Sequence, residues 1–119
     1  MNLKSGVTTI RVEETANNEV IARGVVDDGV LILEGQYYFA PKHVDMNRLV
    51  VTDRVYICPY RGISYEIDLI TSKGVIENIA WIYPEPKAGY EPIAGRIAFY
   101  ATGHPAIRMI LENEKLSER

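Results

Sequence analysis

Ile63-Ser64-Tyr65-Glu66-Ile67-Asp68-Leu69 alternates apolar and polar side chains without a break. Successive side chains of a strand point to opposite faces, so this period of two reads as a half-buried β-strand. Arg61-Gly62 before it and Ser72-Lys73-Gly74 after it supply turns. Upstream, Val50 to Cys58 is a further strand, and downstream Val75 to Tyr83 is another, mostly apolar. The pattern predicts antiparallel β-structure around this centre.

Farther out the same reading holds. Ile10, Val12 and Val20, Ala22 flank Thr15-Ala16-Asn17-Asn18 as a hairpin with an Asn-rich turn. Asp27-Asp28-Gly29 breaks the pattern, and Val30 to Leu33 reads as a short buried strand before Gly35-Gln36 and Tyr37-Tyr38-Phe39. Pro41 to Leu49 reads as a loop or one or two helical turns. Pro84 to Gly95 holds three prolines and two glycines and is expected to be irregular. Ile97, Phe99 and Ala101 alternate, Thr102-Gly103-His104-Pro105 turns the chain, and Ala106 to Leu111 is the last expected strand. Residues 112–119 form a charged tail. Ile and Val number 25 against 10 for Leu plus Met, and β-branched side chains suit a pleated surface. The expected fold is mainly β: a single small antiparallel sandwich or barrel-like domain over residues 1–119, with about eight short strands.

A chain of 119 residues can bury a core without disulfides or metal. Its net charge of −3 argues against a nucleic-acid binder, whose affinity comes mainly from neutralising phosphates. No apolar run approaches the ~20 residues of a membrane span, so neither nucleic acid nor membrane is expected as a partner. Met1 to Gly6 contains no apolar signal region, and the single cysteine, Cys58, cannot form an internal disulfide. A soluble, cytoplasmic protein is expected.

Three stretches carry a family resemblance. They are Tyr37-Tyr38-Phe39-Ala40-Pro41 with Val44, Met46 and Leu49; Cys58-Pro59-Tyr60-Arg61-Gly62 with Tyr65; and Ala80-Trp81-Ile82-Tyr83-Pro84-Glu85-Pro86 followed by Ile93 to Tyr100. In this order and spacing they resemble the core of the domain-of-unknown-function family 427, over about residues 10–101. The resemblance implies a compact β-tent architecture. The chain departs from the family in having Arg61 where lysine is usual, a shorter step from Gly62 to Tyr65, and an insertion at Ala101 to Pro105. The family has also carried an automatic nucleotidyltransferase label. Nucleotidyl transfer usually needs carboxylates converging on Mg²⁺ beside a phosphate-binding loop. Here Asp27 and Asp28 are adjacent, which on a strand sends them to opposite faces, and no Gly-rich phosphate loop is present.

Candidate chemistry gathers in the same stretches. Structural zinc wants four Cys or His ligands, and one cysteine with the distant His43 and His104 does not supply them. Neither a metal nor another cofactor is expected. Cys58 is the one candidate thiol nucleophile and so a candidate catalytic residue, and Arg61 lies close enough in sequence to lower its pKa; a buried, inert thiol is the competing reading. Arg61 suits an anion clamp, or else a structural ion pair with Glu66, Glu85 or Asp68. Tyr37, Tyr38, Tyr60, Tyr65, Trp81, Tyr83 and Tyr100 all fall within these stretches, combine apolar bodies with polar tips and would line a pocket, with Tyr38, Tyr60, Tyr65, Trp81 and Tyr83 as the chief candidates. Cys58, Tyr60, Arg61, Trp81 and Tyr83 are expected to converge on one concave patch, and Cys58–Pro59 and Tyr83–Pro84 are candidate cis bonds. Three functions follow: a domain binding a small polar or anionic molecule in an aromatic-lined pocket, an enzyme using Cys58 or a tyrosine with Arg61 holding an anionic substrate, or a protein-interaction module.

Overall fold

The computed structural model describes residues 6–114. The strands are β1 (Val7–Glu14), β2 (Val20–Val26), β3 (Gly29–Leu33), β4 (Gln36–Phe39), β5 (Leu49–Cys58), β6 (Gly62–Thr71), β7 (Gly74–Ile82), β8 (Ile97–Phe99) and β9 (Ile107–Glu114). All nine belong to one open sheet in the order β5-β6-β7-β8-β4-β3-β2-β1-β9. The alternating centre became β6, paired antiparallel to β5 and β7. The mainly β expectation holds, with one strand more than foreseen. The exception to antiparallel pairing is a short parallel contact of β2 with β3, Val25 against Gly29 and Val26 against Val30. Pro41–His43 and Met46–Arg48 are the helical turns expected before β5, each a single 3₁₀ turn. Glu112 to Glu114 extend β9 rather than leaving the fold; the rest of the expected tail lies outside the described residues.

The register assigns side chains to two faces. Ile67, Ala80 and Phe99 stand in one cross-strand row, and Ile82, Ile97, Phe39 and Val30 in the next. Together with Ile10, Val12, Ile21, Leu69, Ile79 and Ile107 these rows build the main core. Phe39 and Phe99 meet edge to face there with centroids 5.7 Å apart. On the other face runs the row Glu66, Trp81, Ala98, Tyr38, Leu31. A second, smaller cluster forms there around Tyr38, Cys58, Tyr83, Ile93 and Ala98.

This two-faced burial corrects the simple reading of β6. Ile63 is 45 % exposed whereas Ser64 and Asp68 are buried. The main core lies under Ile67 and Leu69 only, and on the other face of β6 Glu66, between Ser64 and Asp68, stays partly exposed. Buried Asp68 is satisfied by the Arg54 guanidinium and by the Asn78 backbone N–H at 2.9 Å. Likewise, in β3 only Val30 is buried and Ile32 is exposed, because the β3–β4 hairpin reaches past the core.

Gly29 illustrates a close approach that only glycine allows. Its φ is +106°, and a Cβ would fall 2.4 Å from the His43 ring. At the far edge of the sheet, β1 is tied to β9 through Glu13, which accepts from Arg11 at 2.7 Å and from Arg108 at 2.8 Å. Arg11 first, and then Arg108, holds the Glu13 carboxyl below the ordinary glutamate value.

Truncating Ile67 or Ile97 to Ala should cost about 2–5 kcal/mol, because each is fully buried. Ile57→Ala, at a residue 68 % exposed, should stay within about 0.5 kcal/mol of the parent when all three variants are unfolded in urea. Because Glu13 titrates lower folded than unfolded, its contribution is present above about pH 4.3 and is lost as pH falls through the folded value. Glu13→Gln should therefore flatten the acid limb of stability against pH.

Candidate functional site

The β5–β6 turn carries the candidate cation. Gly62 begins β6 with φ +110°, a conformation that side chains rarely adopt, and its missing Cβ faces the Lys87 backbone. The strand ends at Cys58, whose Sγ accepts the Arg61 backbone N–H at 3.3 Å. The Pro84–Gly95 loop then straps this turn from outside. The Lys87 N–H donates to the Arg61 carbonyl at 2.8 Å, and Lys87 Nζ donates to the Pro59 carbonyl at 2.9 Å. Gly95 N–H returns to the Tyr83 carbonyl at 3.0 Å, and Ile93 plugs the loop into the second cluster. The loop expected to be irregular is thus well bonded, and it includes one 3₁₀ turn at Glu91–Ile93. The Cys58–Pro59 and Tyr83–Pro84 bonds are both trans.

Held in this way, Arg61 points across the sheet face. Its Nε donates to the Tyr83 hydroxyl at 3.3 Å, and its Nη1 pairs with Glu34 Oε1 at 2.5 Å. The Tyr90 hydroxyl donates to the other Glu34 oxygen at 2.7 Å. Arg61 therefore has Glu34 as its partner, not Glu66, Glu85 or Asp68. The hairpin β3–β4 brings Glu34 in through β8, whereas Glu66 and Asp68 are taken by Arg54.

Around this ion pair lies a cavity of about 230 Å³ lined by Glu34, Gln36, Tyr38, Tyr56, Arg61, Ser64, Trp81, Tyr83 and Tyr100. Its floor follows from the cross-strand row. Ala98 is small and fully buried, and it leaves room for Tyr38 and Trp81 to meet edge to face with centroids 6.3 Å apart. Tyr100 packs on the other side of Trp81 at 4.4 Å. The walls are aromatic, and among the described residues the rim carries one charge of each sign, Arg61 and Glu34.

Of the residues singled out from sequence, Tyr38, Arg61, Trp81, Tyr83 and Tyr100 line this cavity, while Tyr37 packs against the main core. Cys58 lies beneath Arg61, only 4 % exposed. Tyr60 is 72 % exposed and does not line it, since it sits at the outer tip of the turn. Tyr65 falls on the opposite face, where it lines a wider hollow of about 440 Å³ with Gly62, Ile63, Pro84, Glu85 and Lys87. Strand parity separates it from Ser64 and Tyr56. Sequence reasoning missed Glu34, Gln36, Tyr56 and Ser64. The shared parity of Tyr56 with Cys58 was a usable signal; nothing local pointed to Glu34.

The electrostatics follow from these contacts. The Tyr83 hydroxyl, and then other neighbours including Glu34, keep the Arg61 guanidinium charged well beyond its ordinary range. Burial pushes the Tyr38 and Tyr100 hydroxyls upward, so both remain neutral donors at pH 7. The Arg61 backbone N–H lowers the Cys58 thiol from its ordinary value against the opposing effect of burial. Among the described residues, no group of three or more His, Cys, Asp and Glu side chains is placed to hold a metal ion.

Fold and cavity define a small single-sheet β domain with an aromatic-walled cleft beside one arginine. The sequence profile of DUF427, a domain of unknown function, matches residues 6–112, and the chain belongs to that family. No curated protein matches the chain.

Cys58 should show a thiolate absorbance that rises at lower pH in the folded protein than in urea, because the Arg61 N–H stabilises the anion. Its burial should also make iodoacetamide labelling slower in the folded protein than in the unfolded chain at one pH.

Proposed function

We propose that the domain binds a small polar or anionic molecule in the cavity between Arg61 and the Trp81–Tyr38 floor. The observation that carries this reading is the placement of one partly desolvated guanidinium on a wall of tyrosine hydroxyls and aromatic faces. A pocket with apolar walls and a few convergent polar groups is the ordinary form of a ligand site. At about 230 Å³ the space falls below the roughly 300–1,000 Å³ of drug-sized sites, so it suits a ligand of one ring or less. A nucleoside triphosphate would project out of it. Neither that volume nor the scattered carboxylates support nucleotidyl transfer.

A second reading, a protein-interaction module, draws support from β5. This strand is an edge of the sheet, and Val55, Ile57 and the neighbouring Ile63 are exposed along it. Unpaired edges template strand addition. Sedimentation that stays monomeric as concentration rises would remove self-association from that reading.

Trp81 is the chain's one tryptophan and stands in the cavity wall, so it reports occupancy directly. Titration with small carboxylates or inorganic phosphate should change its fluorescence saturably. Arg61→Ala should weaken that response by about tenfold or more while circular dichroism is unchanged, since a hydrogen bond to a charged group contributes about 1.5–3 kcal/mol. An identical titration in Arg61→Ala would refute the role of the arginine.

A further inference from the structure

Glu34 and Gly35 are the two residues between Leu33 and Gln36, which pair across the β3–β4 hairpin. Both have positive φ, +52° and +81°. Two-residue turns with positive φ at both positions favour Asn-Gly and Asp-Gly, because those residues tolerate the left-handed region. Glutamate is a poor choice for that backbone, and a non-glycine residue held in this region is a place to look for function. What glutamate adds over Asn or Asp is reach. Its two oxygens meet different donors, Arg61 Nη1 at 2.5 Å and the Tyr90 hydroxyl at 2.7 Å. Yet the side chain is half exposed, so water can receive it if it swings away.

We propose that the cavity takes small carboxylates with a flat apolar body, and that the Glu34 carboxylate is a resident competitor marking where the ligand's carboxylate sits. This rests on the anion-binding reading of the cavity. With Glu34 displaced, one ligand oxygen accepts from Arg61 and the other from Tyr90, and the body lies toward Trp81 and Tyr38. The charge balance favours a monoanion over phosphate. Among the described residues Arg61 is the one cation lining the cavity, since Lys87 is bonded to the Pro59 carbonyl and Arg96 to the Pro92 and Gly29 carbonyls. Glu34 then acts as a threshold: only an acid that also gains contact with the aromatic floor displaces it.

The test compares the full chain, Glu34→Asn, Glu34→Gln and Arg61→Ala at one ionic strength. Benzoate, acetate and inorganic phosphate are titrated against Trp81 fluorescence. Asn suits the turn but is too short to bridge, and Gln keeps the length without the charge. Benzoate is expected to bind tighter than acetate or phosphate. Both Glu34 variants should tighten it about two- to fivefold, the factor that losing an exposed ion pair implies, and Glu34→Asn should melt no lower than the parent. Arg61→Ala should lose the response. Equal or weaker benzoate affinity in both Glu34 variants overturns the competitor, and phosphate binding tighter than benzoate overturns the carboxylate class; either result leaves the anion-binding reading standing. No response to any of the three anions, in the parent and both Glu34 variants alike, overturns both.

Discussion

The ladder of this sheet depends on a strand of three residues. Through β8 the β5-β6-β7 half is bonded to the β4-β3-β2-β1-β9 half, and all three of its side chains are buried. Ile97 and Phe99 face the main core, while Ala98 faces the second cluster. One short segment therefore sets the register for both faces. A slip by one residue would put a bulky side chain where Ala98 sits and close the gap in which Tyr38 and Trp81 meet. Core packing and cavity shape are two consequences of the same pairing.

The cavity also needs its rim held. Three segments distant in sequence converge there: the β3–β4 turn with Glu34, the β5–β6 turn with Arg61, and the Pro84–Gly95 loop with Tyr90. Each is bonded to another, so the rim closes on itself through the Lys87–Arg61 backbone hydrogen bond, the Arg61–Glu34 ion pair and the Tyr90 hydroxyl donating to Glu34. The prolines limit the freedom of the loop before it folds, which lowers the entropy lost on ordering it. Ile93, fully buried, anchors it to the sheet. Irregular backbone is here a rigid element.

Much of the fold was legible because strands advertise themselves by period. β3, β5, β6 and β7 could be placed to within a residue or two, and the turns at Ser72-Lys73-Gly74 and Thr102 to Pro105 were marked by their composition. What could not be read was which face each strand buries. Ser64 and Asp68 look like solvent-facing residues in a half-buried strand, yet both are buried, Asp68 against the Arg54 guanidinium and the Asn78 backbone N–H and Ser64 in the cavity wall. Periodicity reports that two faces differ. It does not report that both are covered.

The candidate site divides in the same way. Arg61, Trp81, Tyr83 and Tyr38 stood out because residue types with apolar bodies and polar tips were concentrated beside strand ends. Cys58 under the turn and the β character of the whole chain follow from the sequence alone through side-chain branching, alternation and turn chemistry, which act over a few residues. The separation of Tyr65 from the cavity, the exposure of Tyr60 and the choice of Glu34 as the partner of Arg61 were decided by the tertiary structure. Those outcomes depend on strand order and register across the sheet: they join residues 27 positions apart through β8, and no local propensity carries that distance.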